Sequence, residues 1–156
     1  VDCHGRMEAS EAVTVAQALA DCNLFWYEEP VPHTFLDELE RITATVPMPT
    51  ASAESVFAVE GFRPFLTRRV VDVIMPDVKH DGGLLETKRI AGAARMSGLL
   101  VAPHNPAGPV STAATAQVIS TIANFLILEY AWGEVHRSES KRAICSCPKA
   151  PAWATV

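Results

Sequence analysis

The sequence predicts an α/β chain, a partial (β/α)8 barrel of the TIM type in which parallel strands and helices alternate. Three observations predict it. Short apolar runs of strand length alternate with stretches of helical periodicity. Those runs are apolar on consecutive residues, as in strands buried on both faces. Finally, an ionisable residue closes each run at a nearly constant interval along the chain.

The elements follow in order. The opening segment Val1-Asp2-Cys3-His4-Gly5-Arg6 is extended, which puts Asp2 and His4 on one side and Cys3 on the other. Ala12, Val15, Ala16 and Leu19 recur at helical spacing. Leu24 to Tyr27 reads as a strand, and Thr34 with Asp37 as a capping pair for a helix through Ile42. Pro49 to Ala53 is a weaker run in the next strand slot, and Val71 to Met75 fills the one after. Gly82-Gly83 precedes a helix from Leu84 to Met96. Leu99 to Ala102 is the next strand, Ser111 caps a helix running to Ile122, and Phe125 to Leu128 is the last strand.

The residues ending these runs are Asp2, Glu28, Glu54, Asp77, His104 and Glu129, spaced 26, 26, 23, 27 and 25 residues apart. About 25 residues hold one strand, one helix and two loops, because a parallel crossover takes a dozen or more. In a closed (β/α)8 barrel the C-terminal strand ends meet at one mouth, where active sites are built. Gathering so many acids there is costly unless a cation neutralises them. Oxygen ligands from three successive strands, Asp2, Glu28 and Glu54, suit Mg²⁺. Zinc fits less well, since no Cys or His stands among those three positions.

Composition bounds the rest. The chain has 156 residues, enough for one ordinary core, with 49% apolar and 20% charged residues. A net charge of −5 without a basic block argues against nucleic acid and against an anionic membrane surface. No apolar run approaches the roughly 20 residues that span a bilayer. No basic region followed by an apolar one opens the chain, so the expected location is cytoplasmic. Of the four cysteines, Cys145 and Cys147 are too close for an ordinary disulfide and lack a second pair at metal spacing. All four, with Cys3 and Cys22, are expected as reduced thiols.

Taken together, VDCHGR at 1–6, WYEEP at 26–30, MPD at 75–77 with Gly82-Gly83, and APHNP at 102–106 resemble the enolase superfamily. Within it they are similar to the mandelate racemase group, specifically its D-galactonate dehydratase-like sugar-acid dehydratases. The resemblance covers Val1 to about Val135. It implies that the six strands are the third to the eighth of the barrel, with the first two strands and an N-terminal capping domain outside this sequence. The expected domain is therefore 1–135, followed by a tail at 136–156 that has neither periodicity nor resemblance.

The resemblance also implies roles. Asp2, Glu28 and Glu54 match the Mg²⁺ ligands. His104 matches the base, paired with Asp77, and His4 matches a second histidine able to protonate a leaving hydroxyl. Glu129 matches the acid that hydrogen-bonds a substrate carboxylate, while Arg6 and Asn105 share these loops and are candidates for substrate contact. The reaction implied is Mg²⁺-dependent dehydration of an aldonate, such as galactonate or gluconate, to a 2-keto-3-deoxy acid by a carbon–oxygen lyase. The partner is a small sugar acid, and the full-length protein is expected to be a homo-oligomer.

Plainer readings compete. On residue chemistry alone, Asp77 after Pro76 also fits a turn cap and His104 beside Pro103 a satisfied buried histidine; the common register favours the site. His33, His80 and His136 lie off that register and read as surface-loop residues. A racemase or epimerase of the same group shares most of these residues, and a chain without the remaining strands could be a catalytically inactive fragment. One position departs from the family pattern: Ala53 stands where the family has Gly before the Glu, which predicts a crowded turn.

Overall fold

The computed structural model describes residues 1–130; the expected tail at 136–156, with Cys145 and Cys147, lies outside the described residues. Four short strands, β1 (Tyr27–Glu28), β2 (Thr50–Ser52), β3 (Val73–Ile74) and β4 (Leu100–Val101), form one parallel sheet in chain order. Parallel bridges add the opening segment at one side, Asp2 on Glu28, and the last run at the other, Phe125 on Val101. Six parallel segments thus stand side by side, each beside its neighbour in the chain.

The helices are α1 (Ala9–Ala18), α2 (Leu36–Thr43), α3 (Ala58–Arg68), α4 (Leu84–Met96) and α5 (Pro109–Ile119). Each packs on the next. No helix among the described residues is long and apolar enough to cross a membrane. Between helices and sheet lies the main core, in which Tyr27, Leu39, Ile42, Phe62, Phe65, Ile74, Ile90 and Val101 are buried. Alternation along the strands sends Ala51, Val73, Met75 and Ala102 to the other face, where Trp26 and Leu126 join them.

β2 and β3 are buried on both sides as expected, with Ala51 and Val73 on this second face, and the departure lies at β4 and just before β1. Leu100 is 42% exposed and Phe25, outside any strand, is 63% exposed. A cleft of about 550 Å³ opens beside Trp26, Met48 and Leu100.

Helix boundaries bring three further corrections. Thr34 caps nothing, because α2 begins after Phe35 without a side-chain cap. Ser111 lies inside α5, whose N-cap is Gly108 with Pro109 at the first position, where its fixed φ and missing N–H are tolerated. The third is α3, which had no counterpart in the sequence reading. Its buried Phe62, Phe65 and Leu66 keep helical spacing, but Gly61 and Pro64 interrupt the pattern. Its first turn is held from a neighbour: Ala58 N–H donates to Asp81 O at 3.0 Å and Val59 N–H to Glu86 Oε1 at 2.9 Å.

The turn that precedes α4 contains a buried acid. Asp81 is 0% exposed; Oδ1 accepts Gly83 N–H at 3.1 Å, and Oδ2 has no hydrogen-bond partner among the described residues. Burial pushes its pKa up to about 6, against hydrogen bonds from Thr87 and Gly83, with the charges of Asp77 and Glu86 adding to the rise. A raised carboxyl pKa favours the folded state below the ordinary value near 4, and that advantage is lost as pH climbs through 6. Asp81→Asn is therefore expected to match the parent at pH 4 and to exceed its stability by about 2–3 kcal/mol at pH 7. Urea unfolding at the two pH values checks this; an equal difference at both would show that the charge is not the cause.

Candidate active site

The strand ends gather at the side opposite the cleft. His104 lies at their centre, its side chain 12% exposed. Its Nδ1 is 2.8 Å from Asp77 Oδ2, while Nε2 faces Glu54 Oε2 at 3.5 Å and Glu129 Oε2 at 3.9 Å. Asp77 is fully buried; its Oδ1 accepts Lys79 N–H at 2.8 Å, and Lys79 Nζ lies 3.1 Å from Oδ2. Asp77 is thus turn cap and dyad partner at once. Burial acts to raise its pKa, but the bonds from His104 and Lys79 outweigh burial and hold it below the usual carboxylate range. For His104, burial acts downward, while the Asp77 bond and the charges of Glu54, Glu129 and Asp77 carry the net shift upward.

The three expected metal ligands occupy adjoining segments. Burial pushes Glu28 up to about 7; a 2.8 Å bond from Trp26 Nε1–H opposes this, and the charges of Asp2, Glu129 and Glu54 reinforce it. Glu54 is raised by burial too, with Glu29 and Asp2 adding and His104 and His4 opposing. Each acid therefore feels the others. The mouth is a set of carboxylates that repel one another, a donor set that fits a hard cation. Both oxygens of Asp2 meet residue 4, Oδ1 accepting its N–H at 3.1 Å and Oδ2 lying 2.7 Å from His4 Nδ1.

Among the described residues, the ligand atoms that lie within 4.8 Å of one another belong to Asp77, His80 and His104, a tighter group than the three carboxylates. The 2.8 Å contact and the Lys79 ammonium on the same oxygen describe a hydrogen-bonded pair beside a cation. His80 corrects the surface-loop reading in part. Its side chain is 47% exposed, yet its ring stacks on His104 with centroids 6.2 Å apart, and Nδ1 lies 3.3 Å from Glu54 O. The three-residue turn from Asp77, with His80 N–H on Asp77 O at 2.8 Å, is the signal that could have found it.

At the far edge, Glu129 Oε2 accepts Asn105 N–H at 2.8 Å. Asn105, the candidate for substrate contact, is buried beside it. It is 0% exposed, and its Nδ2 donates to Thr112 Oγ1 at 2.9 Å and Glu129 O at 3.2 Å, so it braces the last strand end. Arg6 is exposed at the first segment. Cys3 and Cys22 form no disulfide among the described residues.

Acids and a His–Asp pair at the C-terminal ends of parallel strands form the arrangement in which (β/α) barrels build their active sites. The chain belongs to the Enolase C-terminal domain-like family, which it matches over residues 1–145. It is 39% identical over 129 residues to the D-xylonate dehydratase of Haloferax volcanii, covering 83% of this chain and 31% of that protein. It is 36% identical over 129 residues to the D-gluconate/D-galactonate dehydratase of Picrophilus torridus, covering 83% and 33%. Among solved structures, a mandelate racemase/muconate lactonizing enzyme-like protein from Rubrobacter xylanophilus superposes with a TM-score of 0.80 at 39% identity, covering 83% and 33%. The chain spans about a third of the length of the relatives it matches.

Proposed function

We propose that the chain carries the acid–base and metal-binding half of a Mg²⁺-dependent sugar-acid dehydratase. The observation that carries this is the His104–Asp77 pair, whose Nε2 faces the carboxylates of Glu54 and Glu129. Relatives named for xylonate, gluconate and galactonate supply the substrate class, an aldonate. Asp2, Glu28 and Glu54 would hold the ion, which when bound supplies positive charge to stabilise the dianion formed on removing a proton α to a carboxylate.

The remaining work falls to side chains. Neutral His104 takes the C2 proton through Nε2, and Asp77 fixes the tautomer by accepting from Nδ1 and stabilises the imidazolium that results. His4, 2.7 Å from Asp2, supplies the proton to the departing 3-hydroxyl, which leaves as water. The enol so formed tautomerises to the 2-keto-3-deoxy acid. Glu129 hydrogen-bonds the substrate carboxylate across a shared proton.

Incubation with xylonate, gluconate and galactonate in the presence of Mg²⁺, followed by assay for 2-keto-3-deoxy acids, tests the reading. Keto acid from any of the three supports dehydration. Exchange of the C2 proton with solvent and no keto acid would instead indicate racemisation.

A further inference from the structure

Glu29 stands one residue past Glu28, off the register of strand ends, and the chemistry above does not use it. It is 5% exposed, and its backbone turns through φ +42°. Its Oε1 accepts two bonds, from Ser52 Oγ–H at 2.6 Å and from Ala53 N–H at 3.1 Å. Its own N–H donates to Ala51 O at 2.9 Å, and its C=O accepts Gly5 N–H at 2.7 Å. One residue is thereby bonded to each chain segment that carries Asp2, Glu28 or Glu54.

The grip on Ala53 matters most. Ala53 is fully buried at φ +89°, a conformation that side-chain-bearing residues rarely adopt. Glycine would take it freely. The conformation has to be imposed, and the carboxylate of Glu29 lies on the Ala53 N–H, one residue before Glu54.

We propose that Glu29 is a positioning residue for the metal site: by holding Ser52 and Ala53 it fixes the turn that aims Glu54, and so sets the affinity of the three carboxylates for Mg²⁺. The inference rests on the metal reading above. The plainer alternative is a buried acid that serves stability alone. Glu29→Ala separates the two through Mg²⁺ affinity, and Glu29→Gln is its control, since it keeps one oxygen able to accept both bonds while removing the charge and replacing the second oxygen by an NH₂ group.

Calorimetric titration of Mg²⁺ into the full chain reads the affinity without turnover. Glu29→Ala is expected to weaken Mg²⁺ binding by about tenfold or more, and Glu29→Gln to stay close to the parent. In an Ala53→Gly background the loss caused by Glu29→Ala should shrink, because Gly needs no brace at positive φ. Equal affinity in the parent and Glu29→Ala overturns the inference, as does a Gln variant as weak as the Ala variant. Should Glu29→Ala fail to fold, Ser52→Ala removes one of the two donors; weakened binding supports the positioning role and unchanged binding overturns it. A parent chain that takes up no Mg²⁺ overturns the metal reading and this inference together, whereas a binding parent indifferent to the variants overturns this one alone.

Discussion

Replacing His104 with Asn is expected to lower turnover by about a hundredfold to ten-thousandfold, the range lost when a positioned base is removed. The amide keeps a group able to bond Asp77 Oδ2, now 2.8 Å from Nδ1, so the buried carboxylate is not left alone. What it lacks is a second nitrogen on the far side of the ring, where Nε2 faces Glu54 at 3.5 Å. The variant should fold and bind Mg²⁺ like the parent while losing both keto-acid formation and C2 proton exchange in deuterated water. Retained exchange would place the base elsewhere, with His80 the nearest imidazole at 6.2 Å between ring centres.

The second large effect concerns the acids. Millimolar Mg²⁺ is expected to raise the melting temperature, since a ligand bound only by the folded chain stabilises it by mass action. At a hundred times its dissociation constant the gain is about 2.7 kcal/mol, roughly ten degrees for a domain of this size. Glu28→Gln should abolish that response. It should also melt above the parent in metal-free buffer at pH 8. Glu28 is held up to about 7 by burial and by the charges of Asp2, Glu129 and Glu54, so its ionisation at higher pH opposes folding. The two curves cross: Gln is better without the ion and worse with it. Parallel curves would show that Glu28 is not a ligand.

Much of this was legible in the sequence for a physical reason. A parallel strand is covered on both faces, so its apolar run is continuous, and the ionisable residue that ends it stands out. That contrast located four of the segments, the regular interval supplied the opening one and the weaker run at 49–53, and the Gly82-Gly83 start of α4 agreed with the helix found. Where local chemistry is replaced by a tertiary partner, the sequence is mute. The first turn of α3 is capped by Asp81 and Glu86 from another unit, and Gly61 and Pro64 blur its periodicity. Glu29 was passed over because its importance depends on the backbone angle of Ala53, which no residue pattern announces. Asn105 sat in the right loop, but which way an amide turns is decided by Thr112 and Glu129 O, seven and twenty-four residues away.

The order of the sheet also bears on how the protein assembles. Paired strand residues lie 22 to 27 positions apart, from Ala51 on Val73 to Val73 on Leu100. Chain-closure entropy grows only with the logarithm of loop length, so every pairing meets nearly the same barrier. Among the described segments none waits for a distant partner, and growth can zip from one unit to the next in either direction. The His104–Asp77 contact joins two successive units, so it can form while the remainder is still unstructured. Pulse-labelled hydrogen exchange would then find protection at β3 and β4 arising together, independent of the order in which the outer segments join.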